Sequence, residues 1–126
     1  MDINRPDIVA EVRAAFDAYE TALLANDNVA LQQFFLDDPR IVRYGIADIQ
    51  HGHTQIVRFR STQTAFERKL EHLVITTFGT DFATASTQFK REDCPGEIGR
   101  QMQSWVRFGG EWKIVAAHVS MMREVG

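Results

Sequence analysis

The segment 100–121 reads RQMQSWVRF-GG-EWKIVAAHVSM, and it carries the strongest structural signal in the chain. Two runs of largely alternating residues flank Gly109-Gly110, a dipeptide that favours the two-residue turn of a β-hairpin. Such a turn places Gln101 opposite His118 on the neighbouring strand. This register holds only if neither strand contains a bulge, because one extra residue shifts the pairing.

The predicted hairpin has two different faces, since side chains alternate across a sheet. One face mixes aromatic rings with hydrogen-bonding groups, as the wall of a ligand pocket does. Its members are Gln101, Gln103, Trp105, Trp112, Ile114, Ala116, His118 and Ser120. The other face is uniformly apolar and should be buried against packing elements or a second subunit. Its members are Met102, Val106, Phe108, Val115, Ala117, Val119 and Met121.

Upstream of the hairpin, helical patterns come first and strands follow. Apolar residues recur at helical spacing from Pro6 to a polar turn at 26–28, and Asn4 is the expected cap of this helix. Asn28 is the expected cap of a short second helix, and a third helix follows Gly52. Strands are predicted at 40–44, 46–50, 70–78, 81–91, 100–108 and 111–121. This order indicates an α+β domain with helices packed on an antiparallel sheet, and no linker divides residues 1–126.

Composition limits the classes of function. Hydrophobic residues make up 44% and charged residues 25%, which predicts a folded globular domain. The net charge of -3 gives no basic field for nucleic acid and no polybasic face for a membrane surface. No apolar run is long enough to span a bilayer, and the start MDINRP lacks the features of a signal peptide. A cytoplasmic location is therefore expected.

Tyr19 is the first candidate for chemistry. It lies on the apolar stripe of the first helix, so its ring should face inward. One interpretation is a core tyrosine whose hydroxyl finds a partner. The other is a hydroxyl aimed into a pocket, where it donates a proton or anchors a substrate.

Three arginines are further candidates. Arg43 shares a strand face with Ile41, and it is either a solvated residue at the sheet edge or a guanidinium fork that grips a carboxylate. Arg60 follows Phe59 on the third helix, and Arg100 opens a strand. Each of these is either a solvated residue or a pocket residue, and two arginines lining one pocket would predict a dianionic ligand.

The remaining reactive residues give weaker signals. His118 is either a structural histidine or a catalyst, with Gln101 and Ser120 as its expected neighbours. Cys94 is the only cysteine, and the nearby acids Glu92 and Asp93 should raise rather than lower its pKa, so we do not expect a nucleophile there. The sequence shows none of the usual spacings of metal ligands. It also contains no dinucleotide-binding fingerprint and no nucleophile elbow. We therefore expect neither a metal nor a cofactor.

Short sequence words spread over nearly the whole chain resemble those of one known family. They are Tyr19-Glu20-Thr21-Ala22-Leu23 with Asn26-Asp27, Arg43-Tyr44-Gly45, Gly52 with Ile56 and Phe59-Arg60, Thr77-Phe78-Gly79-Thr80-Asp81, Gly99-Arg100-Gln101, Trp105-Val106, and Trp112 to Ser120. In their order and spacing they look like the AtzH-like family of the SnoaL-like, NTF2-like superfamily.

This resemblance implies more than the patterns show. The fold would be an NTF2-like (cystatin-like) cone, commonly dimeric. A relative is a decarboxylating amidohydrolase that converts 1,3-dicarboxyurea to allophanate in cyanuric acid breakdown, and others are encoded beside an amidase or named for oxalurate catabolism. The family's catalytic tyrosine and arginine correspond to Tyr19 and Arg43. The partner would then be a small anionic amide or urea-derived substrate, and Arg60, Arg100, Gln101, Gln103, Trp105, His118 and Ser120 are the expected substrate-binding residues.

Two other classes of function stay open. The chain could be a non-catalytic dimer that binds a small carboxylate or assists a neighbouring amidase, since this fold hosts both enzymes and binding proteins. Polyketide cyclase chemistry belongs to other SnoaL-like proteins. It needs a larger apolar cavity and an acidic base, for which Asp48 and Asp81 are the candidates.

Overall fold

The first helix forms because its apolar residues recur every three or four positions and all find the same core. Helix α1 spans Pro6–Leu24, and its buried residues include Ile8, Val12, Phe16 and Tyr19. Pro6 stands at the start, where its missing N–H costs no hydrogen bond. The periodicity thus predicted both the helix and the side that it buries.

The computed structural model describes residues 1–125, in which three helices pack on a curved six-stranded sheet. The other helices are α2, Asn28–Phe34, and α3, His53–Arg60. The strands are β1 Val42–Tyr44, β2 Ile49–His51, β3 Lys69–Phe78, β4 Phe82–Lys90, β5 Glu97–Phe108 and β6 Glu111–Arg123. Their order across the sheet is β2-β1-β6-β5-β4-β3. Only β1 and β6 run parallel, and the predicted α+β class is confirmed.

The helix caps differ from the predicted ones. Arg5 precedes α1, and Asn4 instead has a φ of 60°. Its backbone N–H donates to the carbonyl of Thr77 at 3.0 Å, and its Oδ1 accepts from the Thr77 N–H at 2.9 Å. Asn4 therefore fastens the amino terminus to β3. Asp27 caps α2 by accepting from the Ala30 N–H at 3.1 Å.

The hairpin turn is confirmed, but the register beyond it is wrong. Trp105 pairs with Ile114, whereas Ser104 pairs with Ala116, so β6 carries one extra residue, Val115. Such a bulge bends and twists the strand and reverses which residues face each side. Gln101 consequently lies opposite Val119 rather than His118.

The bulge divides β6 between the two faces of the sheet. The inner face is the one that α1 covers, and it receives Ala117, Val119 and Met121. The outer face carries Ala116, His118 and Ser120, which pair with outward residues of β5. The prediction of which residues share the inner face is therefore correct for β5 and for the first part of β6, and it is wrong after Val115.

The outer face has no covering element within residues 1–125. Its exposed apolar side chains include Val74 (55%), Phe82 (38%), Met102 (59%) and Phe108 (47%). Met102 and Phe108 were expected to be buried by packing elements or by a second subunit. No element of the described chain covers them, so burial by a second subunit stays a prediction. None of the helices described here is long and apolar enough to cross a membrane.

A tight contact inside the sheet generates a stability prediction. Gly99 pairs with Phe89 across β4 and β5, and a Cβ at Gly99 would lie 2.2 Å from the Phe89 ring. That ring is buried and packs against the guanidinium of Arg68 at 4.7 Å. Gly99→Ala should lower the free energy of unfolding by about 1–3 kcal/mol through overpacking, measured by urea denaturation.

The control is the double variant with Phe89→Leu, whose smaller side chain leaves room for the new methyl group. We expect it to be less destabilised than the sum of the two single variants. Unchanged stability of Gly99→Ala would contradict this account of the contact.

Candidate active site

A small cavity lies between α1, α3 and the inner face of the sheet. Its volume is about 200 Å³, below the roughly 300–1,000 Å³ of pockets that hold drug-sized ligands. The residues that line it and carry polar groups are Tyr19, Arg43, Asp48, Arg60, Gln63, Arg68, Arg91 and Gln101. The cavity therefore suits a small, polar ligand.

Arg43 is held in place by a closed set of hydrogen bonds. It lies on β1, facing inward, and is buried. Its Nη1 donates to Oδ1 of Asp48 at 2.7 Å and to Oε1 of Gln50 at 2.8 Å, and Gln50 Nε2 donates to the same Asp48 oxygen at 2.8 Å. The nitrogens Nε and Nη2 bond to no residue of 1–125. They form the side edge that binds a carboxylate in bidentate fashion.

Gly45 positions the carboxylate that Arg43 needs. Its N–H donates to the backbone carbonyl of Asp48 at 2.9 Å, which closes the turn between β1 and β2. A Cβ at Gly45 would lie 2.3 Å from Oδ1 of Asp48. The word Arg43-Tyr44-Gly45 thus contains an arginine and the glycine that lets its partner approach.

Arg60 is buried without a partner. It is the last residue of α3, and 6% of its surface is exposed. Its guanidinium makes no hydrogen bond or ion pair with another residue of the described chain, and Nε is fully enclosed. Burial lowers the pKa of Arg60 below its ordinary value, while Tyr19 opposes this shift and Arg43 adds to it. The interpretation of Arg60 as a solvated residue is therefore wrong.

A third arginine of the cavity, Arg68, was not identified from the sequence. Its Nε and Nη2 donate to the two carboxylate oxygens of Glu20 at 2.9 and 2.6 Å, and Nη1 donates to Oε1 of Gln101 at 3.0 Å. Glu20 and Arg68 are 48 positions apart, and no local pattern links them. The Tyr19-Glu20 word was the only available signal.

Tyr19 combines the two interpretations that its position allowed. Its ring packs edge-on against Phe34, Phe35 and Trp105, with centroid distances of 5.8, 6.2 and 6.4 Å. The residue also lines the cavity, and its hydroxyl forms no hydrogen bond with residues 1–125. The ring is therefore part of the core, and the hydroxyl remains available to a ligand.

The structure brings four of the predicted site residues together and separates the others. Tyr19, Arg43, Arg60 and Gln101 line the cavity.

The remaining five expected residues do not line it. Gln103 and Trp105 face inward but bond to each other, from Nε1 of Trp105 to Oε1 of Gln103 at 3.0 Å. Arg100 lies on the outer face because it alternates with Gln101. His118 and Ser120 lie there because of the bulge.

The sequence predicted that Cys94 is not a nucleophile and that the chain holds no metal. Burial, with a smaller effect from Asp93, raises the pKa of the Cys94 thiol, as expected for an unreactive cysteine. Residues 1–125 contain no cluster of three or more His, Cys, Asp or Glu side chains that could hold a metal ion.

The family follows from a comparison of the whole sequence with family models. The AtzH-like model matches residues 1–125. The chain belongs to the AtzH-like family. This confirms the resemblance carried by the short sequence words. No curated protein matches the sequence.

Solved structures place the AtzH-like chain in the cystatin-like, NTF2-like fold. A cystatin-like fold protein from Burkholderia xenovorans is 50% identical, with 99% of each chain covered and a TM-score of 0.95. A DUF3225 family protein of unknown function from Pectobacterium atrosepticum is 46% identical over 96% of this chain and 95% of that one, with a TM-score of 0.92. An NTF2-like protein from Pseudomonas putida is 20% identical over 88% and 84%, with a TM-score of 0.73, and it supports the fold alone.

The contact between Gly45 and Asp48 generates a prediction for the AtzH-like chain. Gly45→Ala should displace the Asp48 carboxylate from Arg43, which weakens a partly buried ion pair while Gln50 still accepts from the guanidinium. We expect the free energy of unfolding to fall by about 1–3 kcal/mol, measured by urea denaturation.

Asp48→Asn serves as the comparison, because it removes the charge of the same pair. The effects of the two substitutions should not add in the double variant, since both weaken one interaction. Full additivity would show that Gly45 acts independently of Asp48.

Proposed function

We propose that this protein is a metal-independent decarboxylating amidohydrolase of an N-carboxylated urea-type compound in nitrogen-compound catabolism. Its reaction would convert 1,3-dicarboxyurea to allophanate or act on an oxalurate-type relative. The observation that carries the proposal is that Tyr19 and Arg43 line one cavity of about 200 Å³. Membership of the AtzH-like family supports the same substrate class.

In this proposal Arg43 holds the substrate. Its Nη1 is occupied by Asp48 and Gln50, so the side edge formed by Nε and Nη2 binds a substrate carboxylate or carbonyl oxygen. The bonds through Nη1 keep the guanidinium plane in one orientation. A positioned donor pair of this kind also stabilises negative charge that develops on the bound oxygen.

Tyr19 supplies the proton in this proposal. The bond between a urea nitrogen and its carboxylate carbon breaks, its electron pair stays on nitrogen, and carbon dioxide leaves. The nitrogen takes the hydroxyl proton of Tyr19, and water then returns a proton to the phenolate. General acid catalysis by a positioned side chain of this kind contributes roughly 10²–10⁴-fold to a rate.

The polyketide cyclase alternative finds less support. The cavity volume of about 200 Å³ is small for a polycyclic substrate. Of the two candidate bases, Asp48 is engaged by Arg43 and Gln50, and Asp81 is exposed and accepts from Nε of Arg107 at 3.1 Å.

Turnover measurements on purified protein without an amidase test the proposal. Release of carbon dioxide from 1,3-dicarboxyurea should fall about 10²–10⁴-fold in Tyr19→Phe because the proton donor is lost. In Arg43→Ala the rate of carbon dioxide release should fall by a comparable or larger factor, because the substrate is no longer held.

The matched controls are Tyr44→Phe and Arg100→Ala, which change the other tyrosine and an arginine of the outer face. Both should keep the wild-type rate. Equal rates in wild type, Tyr19→Phe and Arg43→Ala would refute the mechanism and favour a non-catalytic carboxylate-binding protein.

We further propose that the chain forms a homodimer through the outer face of the sheet. The exposed side chains of Phe82, Met102 and Phe108 lie on this face, and the helices cover only the opposite side. Apolar patches that no element covers are typical of protein–protein interfaces. The same surface would serve the alternative in which the protein assists a neighbouring amidase.

Sedimentation velocity at micromolar concentration tests the dimer. Wild type should sediment as a dimer, whereas Met102→Glu should sediment as a monomer because it buries an unpaired carboxylate at the interface. Val29→Glu is the matched control, since Val29 is an equally exposed apolar residue on α2. A monomeric wild type, or a dimer that survives Met102→Glu, would contradict the proposed interface.

A further inference from the structure

Arg60 carries the one positive charge of the cavity that no carboxylate of residues 1–125 balances. Three other arginines line the same cavity, and each of them forms an ion pair with an acidic residue. The pairs are Arg43–Asp48, Arg68–Glu20 and Arg91–Asp93. The guanidinium of Arg60 bonds to none of these acids, and its Nε is enclosed without a hydrogen-bond partner. A net positive charge therefore remains at the end of α3.

This unbalanced charge is unfavourable for the fold. Arg60 is buried, and a buried charge without a partner costs free energy. Its position in the last turn of α3 offsets only a small part of this cost, since the helix dipole stabilises a cation modestly. A neutral side chain of similar length would avoid the cost. The guanidinium therefore contributes charge to the cavity rather than stability to the fold.

The hydroxyl of Tyr19 is the ionisable group on which this charge acts. Tyr19 and Arg60 line the same cavity, and the hydroxyl forms no hydrogen bond with residues 1–125. Burial lowers the pKa of Arg60, and among the neighbouring ionisable groups Tyr19 opposes this shift most strongly. An electrostatic attraction acts equally on both partners, so Arg60 favours a negative charge on the Tyr19 oxygen to the same extent.

The other neighbours of Tyr19 contribute little net charge. The rings of Phe34, Phe35 and Trp105 that pack around it are uncharged. The charged groups that reach the cavity from the remaining elements are the three ion pairs named above, which lie on α1, β1, the β1–β2 turn, the segment before β3 and the segment after β4. Each pair is neutral as a whole and produces a weaker field at a distance than a single charge does. Arg60 is therefore the main source of positive potential at the Tyr19 hydroxyl.

We propose that Arg60 is a positioning residue that stabilises the phenolate form of Tyr19 during proton transfer and does not itself hold the substrate. In the proposed function, the Tyr19 hydroxyl gives its proton to the urea nitrogen as the carbon–nitrogen bond breaks, which leaves a phenolate. Arg60 balances this negative charge until water returns a proton, and no bond to Arg60 forms or breaks. The inference rests on the proposed function and identifies the group that makes Tyr19 a stronger acid. This role differs from the substrate-binding role that the family resemblance implies for Arg60.

A spectroscopic titration of Tyr19 tests the inference without any substrate. The chain contains two tyrosines, so the variant Tyr44→Phe leaves Tyr19 as the only group that gives the ultraviolet signal of tyrosinate. In this parent, Arg60→Gln should raise the midpoint of the tyrosinate transition by about one pH unit, because the phenolate loses a nearby opposite charge. Arg60→Met keeps the length of the side chain without its charge and should raise the midpoint equally.

Two controls show whether the charge itself is responsible. Arg60→Lys keeps the positive charge and should leave the midpoint close to that of the parent. Arg100→Gln removes the charge of an arginine on the outer face and should leave the midpoint unchanged. An unchanged midpoint in a folded neutral variant, Arg60→Gln or Arg60→Met, would overturn the inference. It would also be overturned if Tyr19 formed no tyrosinate before circular dichroism detected unfolding.

Turnover of 1,3-dicarboxyurea shows whether Arg60 acts through Tyr19. Arg60→Gln should lower kcat for carbon dioxide release by up to about tenfold, since a weaker acid transfers its proton more slowly. KM should stay unchanged because Arg60 does not hold the substrate. In a Tyr19→Phe background the same substitution should have no further effect. A raised KM with an unchanged kcat, or an equal loss of kcat in the Tyr19→Phe background, would contradict the proposed role.

Titration and turnover separate this inference from the proposed function. If Arg60→Gln moves the midpoint but Tyr19→Phe keeps the wild-type turnover rate, the stabilisation of the phenolate by Arg60 stands and the catalytic proposal falls. If turnover depends on Tyr19 but the midpoint does not move, the catalytic proposal stands and the role of Arg60 falls.

Discussion

A guanidinium group buried beneath a sheet needs a counterion, and this requirement organises the cavity end of the molecule. Removing one partner of a buried ion pair costs about 3–5 kcal/mol. Asp48 and Glu20 meet the requirement for Arg43 and Arg68 at distances of 2.7 and 2.6 Å. Both arginines line the cavity, and these two pairs hold their guanidinium groups in place.

The same constraint explains why the local structure around each pair is so specific. Asp48 reaches Arg43 only because Gly45 has no side chain at the tight β1–β2 turn. Arg68 is held between Glu20 on α1 and the Phe89 ring on β4, which approaches Gly99 closely. Glycines at these two points allow contacts that any side chain would prevent.

The bulge at Val115 has the largest consequence for the site. It turns Val119 to the inner face, where it lines the cavity, and sends His118 to the outer face. Without it, a histidine would stand opposite Gln101 and add a titratable group to the wall. With it, the polar groups of the cavity are the tyrosine, the arginines with their acids, and two glutamines.

Periodicity, turn residues and short sequence motifs were sufficient to predict most of the fold. The stripe of α1, the Gly109-Gly110 turn and the helix after Gly52 are local features, so spacing and backbone preference predict them. The residues of the candidate site could be predicted only in part from the same features. The family words identified Tyr19 and Arg43, whereas nothing near Arg68 in the sequence indicated that it binds Glu20.

The amino-acid sequence by itself thus determined the order and type of the elements, the family, and which tyrosine and arginine are candidates for chemistry. These properties depend on neighbouring residues and on short sequence motifs, which can be recognised without a structure. Only the tertiary structure decided which face His118 takes, which arginines are neutralised and that Arg60 is not. Strand register and ion pairing depend on contacts between distant segments, and a one-residue bulge or a carboxylate 48 positions away changes both without a local signal.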